Sequence, residues 1–242
     1  MANAWARDRA GLFYFGFGFY ALTAVFVGFS TTYLIPVARR SFEAPAVVHL
    51  HGAAALSWVV FFFAQTALVR SKQSRLHRQL GQAGIPIAVG ILVTGMATAL
   101  WATKRDLAAG LPMALTIPTG NLTSFSIFIA LVVLGVAMRR RPDWHKRLMM
   151  LATVVVLWPA FFRFRHLVPW VPQPDIWLGL VLADLPIVIA AVRDRLVYGH
   201  VHPVWAIFGT LLIAEQALET IVLFKTDLWR DLGAGIYRLL AQ

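Results

Sequence analysis

Seven runs of apolar, almost uncharged residues occupy most of this chain, at about 12–37, 47–69, 80–102, 119–138, 148–166, 176–192 and 203–224. Each is close to the roughly 20 residues that a helix needs to cross the hydrocarbon core of a bilayer. In lipid a backbone must satisfy its own hydrogen bonds, so runs of this length fold as helices. The predicted fold class is therefore all-α, an integral membrane bundle of seven transmembrane helices. Composition agrees, since only 14% of the residues are charged, against about a quarter in soluble domains. Seven spans use up most of 242 residues, so the whole chain, 1–242, reads as a single transmembrane domain.

The residues between the runs set the orientation. With an odd number of spans the termini fall on opposite sides, and 13 of the 22 Lys and Arg residues lie on the N-terminal side. These are Arg7, Arg9, Arg70, Lys72, Arg75, Arg78, Arg139, Arg140, Arg141, Lys146, Arg147, Arg193 and Arg195. The opposite loops carry six: Arg39, Arg40, Lys104, Arg105, Arg163 and Arg165. Cytoplasmic loops hold the excess of positive charge, which predicts a cytoplasmic N-terminus and an external C-terminus. The formal charge of +11 is thus a topology signal, and with no basic soluble module nucleic acid is not an expected partner. Membrane lipids are, together with a lipophilic small molecule; the sequence does not fix the oligomeric state.

Local breakers refine the spans. Gly110, Pro112, Pro118 and Gly120 interrupt the uncharged stretch before the fourth helix and place a loop there. The first helix, with its stripe GLFYFGFGFY, reads as an uncleaved span whose Gly16 and Gly18 allow close helix contact. Pro86, Pro159 and Pro186 fall within the third, fifth and sixth spans, where each frees the carbonyl four residues earlier: Gln82, Val155 and Leu182. The uncharged core of the fifth span, Leu148 to Phe162, is short, so Arg163 and Arg165 are expected at the membrane edge. The tail, residues 226–241, mixes Leu, Trp and Tyr with charges and reads as an amphipathic interfacial segment.

Two groups of polar residues are candidates for chemistry. His77, His145, His200 and His202 begin helices on the cytoplasmic side, with Asp194 nearby. Imidazoles converging from three helix starts have the composition of a haem site or, with Asp194, of a divalent-metal site. This makes His77, His145 and His202 the candidate cofactor ligands, and the same three with Asp194 the candidate metal ligands. With no Cys in the chain, disulfides and thiolate ligation are excluded. The second group lies in the outer half of the bundle: Asp184 in the sixth span, and Glu215 and Glu219 one helical turn apart in the seventh. Carboxylates at that depth pair, bind a cation or hold a proton. Arg163 and Arg165 are the pairing candidates; Asp184, Glu215, Glu219 and His51 are the candidate catalytic residues if the group lines a cavity. Trp58 and Gln65 share the second helix with His51, and Asn121, Ser124 and Ser126 open the fourth.

The runs HLHG, LHRQLG, HKRLMMLAT, PAFFR and RDRLVYGHVHP, spanning about residues 45–205, resemble a family of bacterial polytopic seven-helix membrane proteins with HLHG, LHRxLG and HKRLM motifs. The resemblance implies a fold and no particular activity. His-Arg-x-Leu-Gly and His-Lys-Arg-Leu-Met at helix starts are also loosely similar to helical bundles of the b-type cytochrome and haem-copper oxidase assembly kind. A stacked pair of haems across the fifth helix is disfavoured, because His145 and His166 are 21 residues apart, roughly 31 Å along a helix. A single haem or metal at the cytoplasmic face remains open, as do an acid–base enzyme acting on a lipid or isoprenoid, a proton- or cation-coupled transporter, and a structural scaffold.

Overall fold

The computed structural model describes residues 4–241, with side chains from residue 11 onward except that of Pro112. The side chains of Arg7 and Arg9, counted above among the cytoplasmic cations, lie outside the described residues. Seven helices are long and apolar enough to cross a membrane. They are α1 (Gly11–Ala38), α2 (Ala46–Arg70), α3 (Ser74–Ala108), α4 (Met113–Ala137), α5 (Pro142–His166), α6 (Asp175–Tyr198) and α7 (Val204–Lys225). An eighth, α8 (Asp227–Leu240), follows. Among the described residues there is no strand.

The spans pack chiefly as sequence neighbours, α1 on α2, α2 on α3, α3 on α4 and α4 on α5. Helix α5 is the most enclosed. Met150, Leu151, Ala152, Val154, Leu157 and Ala160 are sealed from the surface, packed with Trp58, Phe128, Ile187 and Trp205 from other helices. The exposed side chains of the outer helices, such as Phe19, Val93, Val133, Leu196 and Leu211, are large and apolar. Lipid is the solvent that suits such a surface.

Three spans begin earlier than the sequence predicts: α4 opens with a tight turn over Pro112–Thr116 and is helical from Ile117, so Pro118 and Gly120 lie in the helix rather than in a loop. Helix α3 begins not near residue 80 but at Ser74, as a short amphipathic piece, Ser74–Gly81, that gives way to the spanning helix Gly84–Ala108. Pro86 therefore occupies the first turn of the long piece, where its missing N–H costs no helical bond. Helix α5 begins at Pro142, taking Trp144, His145, Lys146 and Arg147 into the helix, and breaks after Val155. It resumes over Trp158–Phe162 with Pro159 in the new first turn and ends in a tight turn, Arg163–His166. The sixth span behaves as its proline requires. Pro186 leaves the Leu182 carbonyl free, and that carbonyl accepts the Tyr20 hydroxyl of α1.

Helix α8 lies against the tight turn Pro112–Thr116 that opens α4 and against the body of α4. Thr226 caps its start by accepting the Trp229 N–H, and Thr119 donates to the Trp229 carbonyl at 3.2 Å. Leu228, Leu232 and Leu239 remain exposed, as an interfacial helix requires.

Close contact between α1 and its neighbours uses Gly18, against Phe63, and Gly28, whose Cβ position falls on the Ala160 carbonyl of α5. Gly16 touches nothing, because it faces outward, contrary to the expectation for both glycines of the stripe. Gly28→Val is expected to force α1 away from α5 and cost about 1–3 kcal/mol, read as a lowered unfolding temperature in detergent. Gly16→Val should leave that temperature unchanged.

Candidate functional site

The bundle end that carries the α2–α3, α4–α5 and α6–α7 connections holds a partly open cavity of about 2290 Å³. Trp58, Phe61, Phe62, Val132, Val136 and Met149 supply apolar wall, and His77, His145 and His202 all line it. Small-molecule sites commonly span about 300–1,000 Å³, so the space suits a large ligand. Seven cations, Arg70, Lys72, Arg78, Arg139, Arg140, Lys146 and Arg147, face two carboxylates, Asp143 and Asp194. The two carboxylates already pair with Lys146 and Arg147, which leaves the other five cations without an acidic partner among the described residues.

His77 and His145 come together. Their ring centres are 6.3 Å apart with planes at 79°. His145 Nδ1 lies 2.8 Å from the Gly135 carbonyl, which can only accept, so Nδ1 carries a proton and, in the neutral ring, the lone pair is on Nε2. The Nδ1 of His77 is buried without a partner, and so is Oε1 of Gln65 on the cavity wall. Trp58, another residue of that wall, donates to Thr153 at 3.2 Å.

The four-residue metal set does not assemble. Among the described residues no three His, Asp or Glu side chains are placed to hold a metal ion. The physical reason is that Asp194 is already committed. Arg147 donates to its Oδ2 through Nε at 2.9 Å and Nη2 at 2.6 Å, and Trp205 Nε1 donates to the same oxygen at 3.0 Å. His202 is held apart from the histidine pair. Its Nδ1 accepts the Val204 N–H at 3.2 Å, and its ring meets Trp144 edge-on at 5.4 Å. His200 lies against the Tyr198 carbonyl on the exposed rim.

At the far end the three carboxyls gather, but the cations expected to neutralise them do not. Asp184 is buried, with neither carboxyl oxygen bonded. Glu219 accepts from Thr123 of α4 at 3.2 Å and fills the space beside Gly120. Glu215 acts electrostatically on both. Arg163 instead donates to the Pro159 carbonyl and lies over Phe29 at 4.2 Å, while Arg165 donates to the Phe162 carbonyl and lies over that ring. Both arginines therefore cap the frayed end of their own helix, which needs donors for its last carbonyls. His51 lies 3.3 Å from Thr94 of α3 and packs on Phe125. His49 meets Tyr33.

Sequence reading placed Arg147 in a loop and so missed its role. The available signal was Asp194, an acid inside the basic run RDR, which at a membrane edge implies a buried cation on a neighbouring helix. Comparison with protein-family models, curated proteins and solved structures returns no match, so the family resemblance rests on its motifs alone.

Removing one member of the buried pair should be costly. Asp194→Ala or Arg147→Ala is expected to lose about 3–5 kcal/mol of stability, whereas Arg147→Met with Asp194→Leu should recover most of it, measured by unfolding of the detergent-solubilised protein. Burial, reinforced by the Arg147 charge, holds the His202 imidazole below its ordinary pKa. Its neutral form is also the one that accepts from Val204. Its stabilisation is therefore complete above the unfolded-state pKa of about 6.5 and declines as pH falls below that. The unfolding temperature should drop on acidification through this range, and less steeply in His202→Gln.

Proposed function

We propose that this chain is a haem-binding redox protein of a bacterial inner membrane, with a b-type haem held in the cavity between His77 and His145. The observation that carries the reading is the spacing of these two rings. Two imidazoles on opposite sides of one metal, each bonded at about 2 Å, have ring centres roughly 6 Å apart, and the observed separation is 6.3 Å. Perpendicular planes are compatible, since each ring turns freely about its metal–nitrogen axis. The Gly135 carbonyl fixes the tautomer and orientation of His145, the usual arrangement behind a ligating histidine. His77 offers a buried nitrogen with no other partner.

The rest of the cavity fits the same ligand. A haem is a large apolar disc with two carboxylates on one edge. Trp58, Phe61, Phe62, Val132 and Val136 give the disc apolar walls. Arg70, Arg78, Arg139 and Arg140 give its carboxylates charge-assisted donors. The excess of cations at this end orients it toward the cytoplasm. Bound there, haem would supply one-electron transfer, with His77 and His145 the residues that would hold it.

The full chain purified from haem-sufficient cells is expected to be red, with one haem per chain by absorbance. His77→Ala and His145→Ala should each lose more than nine-tenths of the bound haem. His202→Ala should retain it, because that ring is tied to Trp144 and Val204. A colourless protein that takes up no haem on titration would overturn the reading.

A further inference from the structure

We infer that Asp184, Glu215 and Glu219 form a proton-binding site in the outer half of the membrane, separate from the cavity between the histidines. The site joins α6 to α7 and touches α4. Asp184 has only 4% of its surface exposed and Glu219 6%, in a region surrounded by lipid-facing apolar residues. Neither oxygen of Asp184 has a hydrogen-bond partner, and the Oε1 of buried Gln216, one turn before Glu219 on α7, has none either. Glu219 is served by one hydroxyl, that of Thr123.

An ionised carboxylate in such a place requires a counter-charge. Every charged or titratable group on the surrounding elements is engaged elsewhere or remote. On α5, Arg163 and Arg165 cap their own helix end, and His166 stands at its exposed terminus. On α7, Lys225 lies at the end of the helix. On α8, Arg230 pairs with Asp227 and Asp231 and Arg238 donates to the Ala234 carbonyl, and on α1 the Tyr20 hydroxyl is given to the Leu182 carbonyl. On α2, His51 is bonded to Thr94. The facing part of α4 offers Thr119, Asn121 and Thr123, and no charge. Among the described residues no three such side chains are placed to hold a metal ion.

A proton answers each of these observations. It neutralises a carboxyl without a partner residue and converts it from an acceptor into a donor. Between Glu215 and Glu219, one turn apart on α7, a proton lets one carboxyl donate to the other. Glu215, half-buried and one turn from Glu219, extends the group toward the surface of the bundle. When the site empties, charge is left in a dry region, so water must enter or α6 and α7 must shift. The site therefore couples proton occupancy to the packing of these two helices.

Infrared spectroscopy of the full chain in nanodiscs tests this directly. At neutral pH the wild-type protein is expected to show the carbonyl stretch of protonated carboxylic acid, sensitive to deuterium exchange and lost on alkaline titration. Asp184→Asn and Glu219→Gln should each lower that band and fold with unchanged helix content, since an amide matches the protonated acid in shape. A wild-type spectrum without the band at neutral pH overturns the proposal, whether or not the variants fold. So does a thermal stability that rises with sodium or potassium concentration in the wild type and not in the variants, which would make the site one for a metal cation.

Discussion

The buried contact between Arg147 and Asp194 is the interaction on which the basic end of the bundle depends. Both groups are nearly sealed from solvent; the guanidinium donates two hydrogen bonds to one carboxylate oxygen, and the Trp205 indole donates a third. These residues come from α5, α6 and α7, so one charge pair fixes three helices at the same level. Breaking it would leave an uncompensated ion in a dielectric where ions are costly. With those helices fixed, the start of α5 presents His145 toward His77 on the short amphipathic piece of α3, and the cavity opens between them.

The two ends of the molecule treat buried charge in opposite ways. At the basic end the buried acid is paired and five cavity cations have no acidic partner among the described residues. At the far end Asp184 and Glu219 are buried and Glu215 half-buried, and the arginines expected to neutralise them are spent on helix-end carbonyls. The first arrangement has positive charge to offer an anionic amphiphile. The second has room for protons. The proposed haem near one face and the proposed proton site near the other are the two elements that charge-coupled membrane chemistry requires.

Much of this was legible in the sequence, and the limits follow from what sequence patterns report. Spans were legible because hydropathy is local and lipid tolerates no alternative to helix. The consequence of Pro186 was equally local: the freed Leu182 carbonyl was foreseeable, though its partner Tyr20, more than 160 residues away, was not. The beginnings of α3 and α5 were misjudged because amphipathic ends look like loops to a hydropathy count. Ser74–Gly81 is charged on one side, and Arg147 is hydrophobic to no scale yet sits in the core. The composition of the histidine and acid groups was visible. Which members meet was not, since pairing is tertiary: Asp194 turns to Arg147 and His202 to Trp144, leaving His77 and His145 facing one another.

The central claim is that these two histidines ligate one iron from opposite sides. Resonance Raman and electron paramagnetic resonance spectra of the haem-loaded full chain test it most directly. The account predicts six-coordinate, low-spin iron with two imidazole ligands, turning five-coordinate when either His77 or His145 is replaced by Ala. Five-coordinate iron in the unaltered protein, or low-spin iron that survives both replacements, would contradict it.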